Sequence, residues 1–236
     1  VSACHRLVDT LTIFDDVFVP SERVFLKGEW QAAGALANAF VEFHRFTAVS
    51  YKPPLCDLFI GAAALLAEYN GIERASHVRE KLTKLIAYAE TVRGLSRNAA
   101  YECRLSEQGV AVPGIVSTNL AKYFFASNYH EAVSWVQDIA GGLVVTGPSE
   151  KDLDNPETGP YIERFLGGKS GVSTEDRLRA FNLVRDLTAS DFGGYNEFLA
   201  IHAEGSLEAQ KITIHRDYDI DRCKQLAIDV IEEAKG

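Results

Sequence analysis

From about Leu55 to Tyr69 the sequence is apolar on nearly every side of a helix, with Leu58, Phe59, Ile60 and the run Ala62 to Ala67 leaving little for water to solvate. A helix of that kind has to be enclosed by other helices. Its neighbours in sequence supply them. Glu29 to about Ser50 is Ala-rich, with Leu36, Phe40, Phe43 and Thr47 at three- and four-residue steps, and Lys52-Pro53-Pro54 is expected to interrupt it. Ala75 to Leu105 carries Val78, Leu82, Leu85, Ile86, Ala89 and Val92 on one face and charges on the other, which predicts a third helix. A fourth, from about Ser117 to Ile139, ends at Gly141-Gly142, where a C-cap favours glycine. Three long helices around a shorter central one predict a mainly α protein built as an antiparallel helical bundle.

Beyond the bundle the segments shorten. Leu143 to Thr146 is a brief apolar piece, and Ser149 or Asp152 is placed to cap the turn that follows. Further helices are expected over Pro156 to Leu166, Ser173 to Thr188, Asn196 to Ala203, Ser206 to His215 and Asp219 to Ala234, with Phe192-Gly193-Gly194 as a break between two of them. Ser173-Thr174-Glu175-Asp176 resembles a capping box. At the other end, Leu7 to Phe14 is rich in β-branched and apolar residues and reads as a strand, followed by an exposed connector through Pro20 to Arg23. A single strand cannot satisfy its own backbone, so its partners are expected upstream of residue 1. The sequence contains no Met, at position 1 or elsewhere, which points the same way. Residues 1–27 are therefore expected to be the end of a β-domain and its linker, and 28–236 a C-terminal helical domain.

The charge of −9 leaves no basic stripe for nucleic acid. No apolar run reaches the roughly 18 residues of a membrane span, so a cytoplasmic protein is expected, without nucleic-acid or membrane partners. Cys4, Cys56, Cys103 and Cys223 are scattered without a CxxC pair, as buried free thiols would be; no metal site is expected. Gly141-Gly142, Phe192-Gly193-Gly194 and Gly205-Ser206 each have two readings, as turns or as places where a missing Cβ lets the main chain approach a ligand. His44-Arg45 sits on a helix among small residues, as a structural pair or as part of a site. Glu197 and His202 are five apart, off one helical face, and make no acid–base pair by themselves.

The order of these segments carries a resemblance. Thr12-Ile13-Phe14-Asp15-Asp16-Val17-Phe18-Val19-Pro20-Ser21-Glu22-Arg23, then Gly141-Gly142-Leu143 with Pro148-Ser149-Glu150-Lys151-Asp152, then Asp191-Phe192-Gly193-Gly194-Tyr195-Asn196-Glu197 and Gly205-Ser206, resemble the C-terminal part of the 4-hydroxyphenylacetate 3-hydroxylase family. That family also includes 4-hydroxybutyryl-CoA dehydratase and is similar in fold to the acyl-CoA dehydrogenases. The likeness covers essentially the whole chain.

The resemblance implies a flavin enzyme of three domains, usually a homotetramer, with FAD lying between the middle domain and the helical bundle. It makes Gln137, Gly141, Gly142, Ser190, Phe192, Gly193 and Gly194 the cofactor candidates and His44 the catalytic candidate. The dehydratase branch pairs a His with a Cys seven residues on to hold an iron–sulfur cluster, but here seven on from His44 is Tyr51, and Cys56 comes at twelve. That branch also has a Glu about six residues before the Gly-Ser pair, where this chain has Leu199. The hydroxylase spacing is met by Phe192, Gly193, Gly194, Glu197, Gly205 and Ser206, with Tyr195-Asn196 in place of Arg-His. The Glu208-Ala209-Gln210-Lys211 segment and the His44-Arg45 helix look more like the dehydratase. The expectation is an FAD-dependent oxidoreductase that hydroxylates a phenol with reduced flavin and oxygen, the flavin coming from a partner reductase. The alternatives are a dehydratase or isomerase acting on a CoA ester, and an inactive oligomerisation module.

Overall fold

A computed structural model describes residues 10–203 and 205–234. Three long helices form its centre: α1 (Trp30–Tyr69), α2 (Ser76–Tyr101) and α3 (Ile115–Ala140). A tight turn at Gly71 joins α1 to α2, so the two lie antiparallel. Cys56, Phe59, Ala63, Leu66, Val78, Leu85, Val92, Phe125, Tyr129 and Val136 from all three are buried in one core. The fold class is thus mainly α, as the periodicity predicts.

The prolines do not break the first helix. Lys52-Pro53-Pro54 lies inside α1, which runs on for 40 residues. Two prolines remove two backbone N–H groups from the helical ladder, at a cost on the order of 3 kcal/mol each in a helix interior. Packing offsets it, because Val49, Lys52, Pro53, Cys56 and Phe59 are buried on both sides of the interruption. What had looked like a separate central helix is the second half of α1. Its first half is different in kind: before Arg45 no residue of α1 is buried, and Trp30 is 75% and Phe40 63% exposed.

The α2 helix also stops short of Leu105. The chain turns there into a two-stranded antiparallel hairpin, β1 (Arg104–Leu105) with β2 (Ala111–Val112), in register Arg104 to Val112 and Leu105 to Ala111. Gly109, at φ +78°, makes the turn that periodicity did not foresee. The expected strand is not formed where it can be seen: residues 10–14 have no strand pairing, and 7–9 lie outside the described residues. The sheet among the described residues is the β1–β2 hairpin alone, and residues 10–14 do not join it.

After α3 come α4 (Leu143–Thr146), α5 (Glu150–Leu153), α6 (Gly159–Phe165), α7 (Thr174–Thr188), α8 (Asp191–His202), α9 (Leu207–Asp217) and α10 (Ile220–Glu233). Ser149, Ser173, Ser190, Ser206 and Asp219 stand at N-caps, each accepting the N–H of the third helical residue. At Ser149 and Asp152 the capping box is complete. Because Ser190 caps α8, Phe192-Gly193-Gly194 lies inside that helix rather than breaking it. α7 packs on α1, α3 and α8, and α9 on α3. α10 buries no residue. No helix among the described residues is long and apolar enough to cross a membrane.

Candidate functional site

α3 is the spine of the site. His130, Gln137 and Gly141 stand seven and eleven residues apart, close to whole turns, and so share one face of that helix. α7 and α8 are tied to it at successive levels. The Gln137 amide donates through Nε2 to the Thr188 carbonyl at 3.0 Å, at the end of α7. His130 Nδ1 and Glu197 Oε1 pair at 2.5 Å, midway along α8. Lys122 Nζ donates to the carbonyl oxygens of Ala200 at 2.8 Å and Ile201 at 3.4 Å, at the far end of α8. Rising numbers on α8 meet falling numbers on α3, so α8 runs antiparallel along it.

This arrangement brings the cofactor candidates to one end of the bundle. Gln137, Gly141 and Gly142 are at the end of α3, and Ser190, Phe192, Gly193 and Gly194 open α8 immediately after the Thr188 carbonyl that Gln137 binds. The glycines are not equivalent. Gly141 has φ +81° and terminates α3, a conformation that side chains oppose. A Cβ on Gly193 would lie 2.9 Å from the Thr188 nitrogen and 3.1 Å from the Leu187 and Thr188 carbonyl carbons, so this glycine seats α8 against α7. Gly142 and Gly194 have nothing within 4 Å of that position. A side chain at either position would meet open space. Ser190 caps α8 through the Gly193 N–H at 3.3 Å.

His44 stands elsewhere. It is exposed on the projecting half of α1, stacked on Phe40 with ring centroids 4.9 Å apart, in a shallow apolar groove with Leu36, Ala39, Phe43 and Thr47. Tyr51, two turns on, shares that exposed face. Cys56 does not: it is buried in the core, where burial pushes its thiol up to about 12. No cluster of three or more His, Cys, Asp or Glu side chains able to hold a metal is found among the described residues. Arg45, by contrast with His44, is buried and donates to Asn119 Oδ1 at 2.8 Å.

Three features were not read from sequence. The His130–Glu197 pair joins residues 67 apart that only the docking of α8 on α3 brings together. Glu197 also raises the proton affinity of the buried Tyr129 hydroxyl, after burial itself, which is the larger cause. That hydroxyl has no hydrogen-bond partner among the described residues. Lys122 is the third: a charge one turn before Phe125 and Ala126 on a buried helix face is the one signal that could have singled it out.

Comparison with known proteins sets this geometry in context. Residues 33–232 match the family described as 4-hydroxyphenylacetate 3-hydroxylase, C terminal. The 4-hydroxybutyryl-CoA dehydratase/vinylacetyl-CoA-Δ-isomerase of Clostridium aminobutyricum is 34% identical over 93% of the chain and 46% of its own length. The oxygenase component of 4-hydroxyphenylacetate 3-monooxygenase from Thermus thermophilus is 34% identical over 80% of the chain and 40% of its own. A crystal structure of such an oxygenase component, complexed with FAD and 4-hydroxyphenylacetate, superposes with a TM-score of 0.85 at 29% identity, covering 94% of this chain and 47% of that one. The chain thus spans less than half the length of the relatives it matches.

Proposed function

Because this chain belongs to the 4-hydroxyphenylacetate 3-hydroxylase C-terminal family, we propose that it is the flavin-side half of an FAD-dependent oxygenase component that hydroxylates a small phenolic substrate. The observation that carries the reading is the convergence of Gln137, Gly141 and Gly142 with Ser190, Phe192, Gly193 and Gly194 at one end of the bundle, with Gly142 and Gly194 open. Bare backbone of this kind fits the approach of a flat ring or a pyrophosphate, and the N–H groups opening α8 favour negative charge. Bound FAD would supply the redox chemistry; the chain's part is to hold it, orient it and keep water away.

On this reading residues 28–236 form the helical domain, and residues 1–27 lead out of a β-domain that closes the flavin from the other side. His44 adjoins Arg45, which binds Asn119 near the start of α3, roughly 30 Å along that helix from Gly141. On this reading the flavin that meets a phenol in the His44 groove is held by the glycines of a neighbouring subunit, and there the imidazole accepts or donates a proton at the phenol oxygen. A homotetramer, a separate flavin reductase and a cytoplasmic location complete the proposal. Full-length protein supplied with reduced FAD, oxygen and a phenol is expected to consume oxygen and form a catechol. No oxygen-dependent product with any simple phenol would defeat the proposal.

A second reading, a dehydratase or isomerase acting on a CoA ester, has support from the dehydratase relative, 34% identical over 93% of the chain. Against it stand Tyr51 in place of a Cys beside His44, and a Cys56 turned into the core. Iron–sulfur absorbance in anaerobically purified protein, with turnover of a hydroxyacyl-CoA, would favour this reading. A tetramer that binds no flavin would favour an oligomerisation module.

A further inference from the structure

A lysine rarely gives up water entirely, since desolvating an ammonium is costly unless its donors are well placed. Lys122 does so: it is 0% exposed, two turns into α3. Its Nζ reaches the Ala200 and Ile201 carbonyls. These belong to the last turn of α8, where carbonyls lack a helical N–H and where a positive charge suits the helix dipole. Solvent could have satisfied them at no cost. The protein uses an enclosed cation instead.

We infer that Lys122 is a positioning residue for the glycine segment of α8, fixing the seat of that helix on α3 and so the placement of Gly193–Gly194 relative to Gln137 and Gly141. The inference rests on the flavin reading of those glycines. Apolar packing alone does not set the seat, because α8 buries only Gly193 and Ala200 of its twelve residues. Those two are seven residues apart and lie on one face, Gly193 against the end of α7 and Ala200 over Lys122. The His130–Glu197 pair lies between them, but with His130 66% exposed it is the kind of contact that contributes little. One turn before Lys122, Asn119 accepts from the buried Arg45, whose Nη2 lies 2.9 Å from where a Cβ on Gly205 would stand. The Arg45 guanidinium therefore lies beside Gly205, just after α8.

The test is an anaerobic flavin titration of the full-length protein, with a thermal melt, for wild type, Lys122→Met, Lys122→Gln and, as a stability control, Val78→Ala in the α2 core. With the glycine segment displaced, both Lys122 variants are expected to bind FAD about tenfold more weakly and to shift the isoalloxazine absorption band. Val78→Ala is expected to lower Tm without either effect. Wild-type affinity and spectrum in Lys122→Gln, or an equal loss of affinity in Val78→Ala, would overturn the inference. Should neither Lys122 variant fold, hydrogen exchange of the wild type decides it: FAD is expected to slow exchange through Glu197–His202, and unchanged exchange there overturns it. If wild type binds no flavin at all, the reading of the glycines fails instead.

Discussion

At the residue scale, neighbouring glycines are expected to behave oppositely. Gly193→Ala pushes a methyl into the backbone of Leu187 and Thr188 and should cost about 1–3 kcal/mol, read as a drop in denaturation midpoint. Gly194→Ala meets open space within a helix and should be neutral or stabilise by up to about 1 kcal/mol. The sequence offered both as cofactor glycines; only the packing of α8 on α7 separates a seat from an opening. Cys56 tests the core in the same way. With its thiol pushed up to about 12 by burial, it should resist a thiol reagent at pH 8 in the native protein while the exposed Cys103 and Cys223 react. The folded state holds that proton more tightly than the unfolded chain. Its contribution to stability is therefore complete below an unfolded thiol value of about 8.5–9 and is lost as pH rises toward 12. Equilibrium unfolding measured between pH 8 and 11 should show the decline, and Cys56→Ala should reduce it.

At the element scale, periodicity located the helices because a 3.6-residue apolar repeat survives in any bundle, and serine caps marked several starts. It failed at Pro53-Pro54, where burial of Val49, Pro53 and Phe59 outweighs the local preference to stop, and at Leu105, where a hairpin replaces helix. Pro54 is exposed inside α1, so Pro54→Ala should restore a backbone donor to the ladder without opening a cavity. The expected gain is about 1–3 kcal/mol in urea unfolding. The candidate site was legible only as segments: Gln137, Gly141 and Gly193 could be named, but that they lie toward one end of the bundle depends on α8 running back along α3. The tie that sets that course, Lys122 to Ala200, joins residues 78 apart, and the exposed His130–Glu197 contact beside it joins residues 67 apart.

At the scale of the whole molecule, the distribution of exposure matches a domain built to be covered. The bundle core is closed, yet the first half of α1 with Trp30, Leu36, Phe40 and Phe43, and the residues around Phe14, Phe18 and Phe25, leave large apolar side chains in water. Large apolar side chains exposed together, as Leu36, Phe40 and Phe43 are around His44, mark surfaces that meet other protein or ligand. His44 lies on that face and the open glycines at the end of the α3 spine, which is the division of labour expected if substrate and flavin are completed by the rest of a longer protein. The central claim is that the open backbone at Gly194 holds flavin. Anaerobic titration of the full-length protein with reduced FAD, in wild type and in Gly194→Val, addresses it most directly. Saturable binding in wild type, weakened about tenfold or more in Gly194→Val with little change in Tm, is the predicted result. No saturable binding in wild type, or equal affinity in the two, would contradict it.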